Sequence, residues 1–127
     1  MMKRLSYVIV FAVLMSNASL GQPASSSPNY PGPGHAFQFD FGRFAFKNEY
    51  SADGKQMTFT RLSDGRTGTV NYTVIEVRPN VFWNYWVEAD GTSVARVEDH
   101  DSRAAHAMVH FPDGRVVNLS GTFRRLD

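Results

Sequence analysis

Four Asp-Gly dipeptides recur along this chain from residue 36 onward. They lie at 53–54, 64–65, 90–91 and 113–114, each between runs of β-branched and aromatic residues. Asp-Gly in that setting is the strongest short-range signal for a β-hairpin. The pattern predicts an antiparallel meander whose strands lie near 36–41, 43–50, 56–62, 67–78, 81–89, 93–99, 104–111 and 115–125.

Two segments allow an alternative. The first two strands are also compatible with one strand bent at Gly42, and the alanine-rich segment 102–110 with a short helix. Open strand edges invite aggregation, so many short strands are best arranged without edges. We therefore predict an all-β fold, a small antiparallel up-and-down barrel of about eight strands. A two-sheet sandwich is the alternative.

The N-terminus predicts export. A basic pair at residues 3–4 precedes an apolar run at 5–15, and small residues follow. This order is typical of a signal peptide, here residues 1–21, cleaved between Gly21 and Gln22. The apolar run is too short to span a bilayer, which needs about 20 residues. We therefore expect a secreted or periplasmic protein with no stable membrane association after cleavage; an uncleaved membrane anchor is the alternative.

Composition bounds the rest of the chain. Residues 22–35 contain four prolines, three serines and two glycines, which is typical of a flexible linker and leaves residues 36–127 as one domain. Removing the signal peptide takes two of the 13 basic residues, so 11 basic residues remain beside 12 acidic ones. This balance gives no electrostatic reason to expect a nucleic acid partner. The absence of cysteine excludes disulfides and thiolate metal sites, and no cofactor is predicted.

Two-residue Asp-Gly turns would fix the register from one hairpin to the next. The predicted pairs across the four turns are Tyr50 with Met57, Phe59 with Val70, Trp86 with Ala95, and His110 with Val117. Between the second and third of these turns we predict a three-residue loop at 79–81 with Asn80 in the left-handed region. That loop keeps Tyr72 and Trp86 on one face and pairs Tyr72 with Glu88.

This register gives an inward face that mixes apolar and polar side chains. Its apolar members are Phe59, Val70, Phe82, Trp86, Val97, Met108, Leu119 and Phe123. The candidate ligand-binding residues are Tyr72, Asn84, Trp86, Glu88, Asp99 and His106. A pocket with convergent polar groups is the usual form of a ligand site. The alternative is that these polar groups satisfy one another at the mouth of a barrel.

Glu88 is the candidate catalytic residue. Beside Trp86 and Tyr72 its pKa should rise, which suits general acid or base catalysis near neutral pH. His106 and His110 would stand about 13 Å apart on a strand, at about 3.3 Å per residue. That is too far for one metal ion, and we predict no metal site.

The outer face of the predicted sheet carries an aromatic stripe. Trp83 and Tyr85 lie on it, and the same register places Arg96 and Glu98 there, facing solvent. Exposed apolar stripes of this size often mark a partner surface. The stripe predicts a homodimer formed through Trp83 and Tyr85.

Short motifs in the domain carry a family resemblance. They are Phe37-x-Phe39-x-Phe41-Gly42, Arg78-Pro79-Asn80-Val81-Phe82, Trp86-Val87-Glu88 and the closing Leu119-Ser120-Gly121-Thr122-Phe123. On these motifs the segment 37–126 resembles the MoaF-like family, named after molybdenum cofactor biosynthesis protein F. That family belongs with the calycins, so the resemblance implies a lipocalin-like barrel that binds or transforms a small molecule.

A more distant similarity is to the bacterial phenolic acid decarboxylases, which are also calycin barrels. Trp86-x-Glu88 is similar to the segment that carries their acid/base glutamate, and 92–112 runs alongside their following hairpin, including His106. Their paired substrate-binding tyrosines are replaced here by Phe39 and Phe41, and their catalytic arginine has no clear counterpart. The resemblance therefore implies Glu88 as a candidate residue but does not carry over the decarboxylase activity.

Three functions of different class follow. The preferred one is an exported lipocalin-like barrel that binds a small apolar or aromatic ligand in its interior. The second is an acid/base enzyme, decarboxylase- or isomerase-like, using Glu88 with Tyr72 or His106 as its partner. The third is a non-catalytic, dimeric interaction module that uses the surface around Trp83.

Overall fold

A computed structural model describes residues 27–127, which form eight antiparallel strands in one closed barrel. The strands are β1 Ala36–Asp40, β2 Ala45–Tyr50, β3 Gln56–Arg61, β4 Thr67–Arg78, β5 Val81–Val87, β6 Ser93–Asp99, β7 Ala104–His110 and β8 Val116–Arg125. Each strand pairs with the next, and β8 pairs with β1. The predicted all-β barrel of about eight strands is confirmed, in place of a sandwich.

The two local alternatives are wrong. Phe39 pairs with Phe46 across a turn at Gly42-Arg43, so the first two strands form a hairpin and not one bent strand. The segment from Ala104 to His110 is strand β7 and not a helix. The predicted signal peptide and its cleavage site lie outside the described residues. Within residues 27–127, no helix is long and apolar enough to cross a membrane.

The Asp-Gly turns differ from the two-residue type that we predicted. Their glycines have positive φ angles, from 73° at Gly54 to 93° at Gly114, whereas their aspartates do not. A two-residue turn of type I′ needs positive φ at both positions, but longer loops need it only at the glycine. The loops accordingly span residues 52–55, 62–65, 89–91 and 112–114. In each loop the aspartate carboxylate accepts a hydrogen bond from the backbone N–H two residues later.

Loop length decides which face each strand turns inward. The first four-residue loop keeps the predicted pair Tyr50–Met57, and the second replaces Phe59–Val70 by Met57–Val70, a shift that preserves the face. The two three-residue loops shift the register by one residue, which turns a strand over. Trp86 therefore pairs with Val94 instead of Ala95.

The predicted orientation of β6 and β7 is wrong for this reason. Arg96 and Glu98, predicted to face solvent, are 3% and 1% exposed inside the barrel. The residues that we expected inside but that lie on the outward face are Val97, Asp99, His106 and Met108. In the last turn a second one-residue shift pairs His110 with Val116 and not Val117. This second shift cancels the first, so β8 keeps its predicted orientation and Leu119 and Phe123 point inward.

The connection between β4 and β5 leaves β5 in its predicted orientation, but its loop differs from the predicted one. Asn80 has a φ of 67°, which confirms the left-handed position. The loop has two residues instead of three, and an irregularity between Glu76 and Arg78 supplies the extra residue. Tyr72 consequently pairs with Trp86, and the predicted pair of Tyr72 with Glu88 is wrong.

Closure of the barrel depends on one glycine. Where β8 meets β1, a Cβ on Gly121 would overlap the backbone carbonyl of Asp40. No neighbouring side chain could move to relieve that overlap because the obstacle is backbone. A residue without a Cβ is therefore required at this position.

The two ends of the barrel are built differently. Because successive strands run in opposite directions, the β1–β2, β3–β4, β5–β6 and β7–β8 turns lie together at one end, which we call the open end. The other end, the closed end, is covered by residues 27–35. Tyr30 from this segment is buried in the core, with its ring 5.2 Å from Phe82 and 5.7 Å from Tyr50. Residues 27–35 were predicted to be linker, but their Tyr30 is part of the barrel core, so this part of the predicted linker is not a free tether.

Candidate functional site

A cavity of about 490 Å³ opens between the turns of the open end. Aromatic and aliphatic side chains from six of the eight strands and from the turns form most of its wall: Phe41, Phe44, Phe46, Phe59, Trp86, Val94, Ala107, Val109, Phe111, Val117 and Leu119. Its polar wall consists of Arg43, Asn48, Arg61, Arg66, Glu88, Thr92, Arg96 and Arg115. The cavity is thus an apolar chamber with a few polar groups that converge on it, the usual form of a small-molecule site.

Arg96 lies at the buried end of the cavity wall. Its guanidinium carbon is 3.7 Å from the centre of the Phe39 ring and 4.9 Å from that of Trp86. Cation–π contacts of this kind stabilise a guanidinium that has left water. The side chain is therefore held at a fixed place in the chamber by two aromatic rings.

Glu98 neutralises Arg96 from the side away from the cavity. Arg96 donates to Glu98 Oε2 through Nε at 3.1 Å and through Nη2 at 2.8 Å. The Tyr30 hydroxyl lies 3.1 Å from both carboxylate oxygens, and His100 Nε2 lies 3.0 Å from Oε1. Burial raises the pKa of Glu98, but Arg96 and His100 outweigh it, and the pKa is held below its ordinary value. The carboxylate is thus ionised and fully paired.

Two further residues complete the hydrogen bonding of Arg96. Nη2 donates to the Tyr50 hydroxyl at 2.9 Å. With its amide oxygen turned toward the guanidinium, Asn48 accepts from Nη1 at 2.9 Å. Within residues 27–127, four of the five guanidinium N–H groups thus have an acceptor. Most of the hydrogen-bond donors of Arg96 are therefore bonded to core residues and are not available to a ligand.

The rim of the cavity carries four more arginines, all in or beside turns of the open end. Arg61 and Arg66 flank the β3–β4 turn, Arg43 lies in the β1–β2 turn, and Arg115 precedes β8. Arg61 binds Asp64 at 2.6 Å, and that hydrogen bond, with the backbone N–H of Arg66, lowers the pKa of Asp64 to about 2. The rim arginines thus reach the lining of the cavity, whereas Asp64 does not.

Glu88 is the one carboxylate among the residues that line this cavity. It follows β5 directly, is half-buried, and accepts a 3.4 Å hydrogen bond from Trp86 Nε1. Burial raises the pKa of Glu88 and outweighs the Trp86 hydrogen bond, which lowers it. The predicted direction of the shift is confirmed. The geometry offers a general acid or base next to an apolar chamber.

The six predicted ligand-binding residues fall into three groups. Trp86 and Glu88 line the cavity. Tyr72 and Asn84 are buried in the packed core beneath it, where Asn84 has no hydrogen-bond partner for its amide among the described residues. Asp99 and His106 lie on the outside of the barrel: Asp99 accepts backbone hydrogen bonds in the β6–β7 turn, and His106 Nδ1 lies 2.9 Å from Ser120 Oγ.

Sequence reasoning missed Arg96 because both faces of β6 mix polar and apolar residues. The usable signal was the spacing of Arg96 and Glu98, since charges two residues apart on a strand share a face and can pair in the interior. The rim had a signal too. Asp-Gly-Arg occurs at 64–66 and again at 113–115, which places an arginine at the same position after two turns of the same end.

Comparison with known proteins agrees with this architecture. The sequence profile of the MoaF-like family matches residues 33–124. No protein in the curated set matches the chain. A crystal structure described as that of "a putative beta-lactamase from Burkholderia vietnamiensis" superposes with a TM-score of 0.74 at 23% identity, covering 79% of this chain and 100% of the other. At that identity the likeness shows the fold alone. Because the family match spans well over half of the sequence, the chain belongs to the MoaF-like family.

Proposed function

We propose that the protein binds a small apolar or aromatic molecule in the cavity of the open end. The observation that supports this most strongly is the cavity itself: about 490 Å³ lined mainly by aromatic and aliphatic side chains. Ligand sites for small molecules have this size range, roughly 300–1,000 Å³, and this mixture of apolar wall and few polar groups. Protein cores are close-packed, so a cavity of this size loses packing contacts that a core without a ligand site would make.

The remainder of the barrel interior supports the same assignment. Below the cavity the core is packed with buried aromatic rings, and Tyr30 fills the closed end. The second depression in the described part of the chain, beside Pro31 and Phe123, has about 160 Å³. The open end is thus the part of the barrel with room for a ligand.

A neutral aromatic probe tests the proposal. N-phenyl-1-naphthylamine becomes fluorescent in apolar surroundings, and we expect it to bind with one site per chain. Ala107 lines the cavity, so Ala107→Phe should fill it and abolish the signal. Ala45→Phe is the matched control, because Ala45 points outward from β2. Equal binding by both variants, or no binding by the wild-type protein, would refute the assignment.

The outer face of β4–β8 supports a second proposal, a homodimer. Trp83 and Tyr85 lie on this face with their rings stacked at 5.8 Å, and Ile75, Val87 and Met108 are exposed beside them. The charged residues on this face are Arg78, Asp99 and Arg124, which all lie at its closed-end edge. Depletion of charge with enrichment of aromatic residues marks the core of protein interfaces. Two copies of a face with an uncharged centre can also meet there without repulsion, so a second copy of the chain is the partner that fits.

Sedimentation over a wide concentration range tests the dimer. We expect the wild-type protein to be dimeric and Trp83→Ser to be monomeric with an unchanged fold. Glu49→Ser is the control, since Glu49 is exposed on β2, away from the proposed interface. A monomeric wild-type protein at every concentration would show that this face serves no self-association.

Export belongs to the proposal on the strength of the sequence alone. A basic pair, an apolar run of 11 residues and small residues before Gln22 support it. Mass spectrometry of the protein recovered from a bacterial periplasm or culture medium should give a chain that starts at Gln22. Recovery of the full-length chain from the membrane fraction would indicate an uncleaved anchor.

A further inference from the structure

The charged side chains that line the cavity are mostly positive. Five guanidinium groups line it, from Arg43, Arg61, Arg66, Arg96 and Arg115, against one carboxylate, that of Glu88. The mature sequence as a whole is nearly neutral, with 11 basic and 12 acidic residues after the signal peptide is removed. The lining of the cavity is therefore richer in positive groups than the mature sequence as a whole.

The counter-ions of the rim arginines lie outside the cavity wall. Asp64, Asp90 and Asp113 pair with Arg61, Arg66 and Arg115, with N–O distances of 2.6, 3.3 and 2.8 Å. Each of these carboxylates is also fixed by a backbone N–H of its own turn, and none of them lines the cavity. The aspartates thus hold the arginines from the solvent side.

Arg43 differs from the other rim arginines. Within residues 27–127 it makes no ion pair, and its described contact is with the Phe44 ring, 5.4 Å from the guanidinium carbon. Both Arg43 and Phe44 line the cavity. The hydrogen-bond donors of Arg43 are consequently available to a group at the mouth.

We infer that the ligand is an amphiphilic anion, bound with its apolar or aromatic body in the chamber and its anionic group outward, between the rim arginines. The inference rests on the proposed binding function and names the chemical class of the ligand. A guanidinium presents a planar fork of N–H donors that matches carboxylate, sulfonate and phosphate oxygens. Arginines from three different turns surround the mouth, so such a group can be contacted from several sides.

The buried end of the cavity is less suited to the anionic group. Arg96 is already neutralised by Glu98, and Tyr50 and Asn48 occupy further donors. An anion placed there would also lose its hydration, whereas one at the mouth keeps part of it. The wall between these two places is apolar and fits the body of the ligand.

Two probes that differ by one anionic group test the inference. N-phenyl-1-naphthylamine is neutral, and 8-anilino-1-naphthalenesulfonate is the same skeleton with a sulfonate. We expect the sulfonate to bind about tenfold more tightly in low salt, a difference that shrinks as salt screens the rim. Arg43→Gln should reduce this preference about threefold, the order expected for one exposed charge pair. Arg124→Gln is the control because Arg124 lies at the closed end.

The outcomes separate the inference from the proposed function. Equal affinity for both probes, unaffected by salt and by Arg43→Gln, overturns the inference and leaves ligand binding intact. A preference for the sulfonate that responds to Arg96→Lys but not to Arg43→Gln overturns the outward orientation. Failure of both probes to bind refutes the proposed function itself. A preference that falls in Arg43→Gln and in high salt, but not in Arg124→Gln, supports the inference.

Discussion

The two ends of this barrel use the same residue types for opposite purposes. At the closed end an aromatic residue, Tyr30, fills the interior, and its hydroxyl bonds the carboxylate that pairs with a buried arginine. At the open end, aromatic residues such as Phe44 and Phe111 line the cavity, and three of the four rim arginines pair with aspartates on the solvent side. Aromatic rings and arginines thus form a packed core at the closed end, where the carboxylate that pairs with the arginine is buried. They form the wall of a cavity at the open end, where the pairing carboxylates face solvent.

The difference has a simple physical cause. A buried charge is tolerated when its partner and hydrogen bonds are buried with it, so Arg96 and Glu98 form one closed unit. Rim arginines are partly hydrated and need no such compensation. The closed end should accordingly govern stability, and the open end should govern binding.

The largest expected effect is at the buried ion pair. Arg96→Met leaves Glu98 buried without its main partner and should lower the free energy of unfolding by about 3–5 kcal/mol. Arg125→Met is the control, since Arg125 pairs with Asp127 at 3.3 Å but both are half-exposed. We expect little change there, measured by urea denaturation. Similar losses in both variants would show that the buried cluster has no special role in stability.

Truncating one aromatic residue at each end tests the comparison next. Tyr30→Ala removes a fully packed ring and a hydroxyl that bonds Glu98, which should cost about 3–5 kcal/mol of unfolding free energy. Phe44→Ala removes a partly exposed ring and should cost about 1 kcal/mol. For binding of N-phenyl-1-naphthylamine we expect the reverse: Phe44→Ala should weaken the affinity more than Tyr30→Ala does. An equal loss of stability at both ends would contradict the division of roles.

Lowering the pH should have opposite effects through Glu98 and Glu88. Through Glu98 it should lower the stability of the fold. The pKa of Glu98 is lower in the folded protein than in the unfolded chain, so its contribution is present above the unfolded value and is lost as pH falls through the folded one. Glu98→Gln should therefore be most destabilising at neutral pH, and less so as pH falls below the ordinary pKa of glutamate, about 4.3, where the unfolded wild-type chain begins to take up the proton. Denaturation curves of both proteins across this range give the comparison. A deficit independent of pH would indicate that Glu98 is not ionised in the fold.

The smallest effect concerns Glu88 and the anionic probe. Burial raises the pKa of Glu88, so its negative charge disappears at a higher pH than for an ordinary glutamate. Binding of 8-anilino-1-naphthalenesulfonate should strengthen about threefold as pH falls through that pKa, because repulsion at the mouth is removed. Fluorescence titrations with Glu88→Gln should lack this dependence, and the neutral probe should lack it in both proteins. The same dependence in Glu88→Gln would place its origin elsewhere.

Much of the fold was predictable because its signals are local. Alternating residues and the four Asp-Gly dipeptides located all eight strands to within a few residues. The Asp-Gly dipeptide serves loops of two, three or four residues, however, and sequence alone did not distinguish them. One residue of loop length at 89–91 decides whether Arg96 faces solvent or the interior. The choice is made by packing across the barrel, which no single hairpin encodes.

The site was predictable only in part for the same reason. Trp86 and Glu88 were found because β5 kept its predicted face, whereas Asp99 and His106 were misplaced with their strands. Tyr30 was overlooked because its neighbours are prolines, serines and glycines. Composition describes the average of such a segment, and here one side chain of the segment fills the end of the barrel.

The most direct test of the account uses the two tryptophans of the chain as reporters. The indole of Trp86 lines the cavity, and that of Trp83 lies on the outer face three residues earlier on β5. In a ¹⁵N–¹H correlation spectrum, assigned with Trp83→Phe, the two indole N–H signals can be followed while N-phenyl-1-naphthylamine is added. The account predicts that the Trp86 signal shifts saturably and that the Trp83 signal stays in place. Movement of the Trp83 signal alone, or of neither signal at saturating probe, would contradict binding in the open-end cavity.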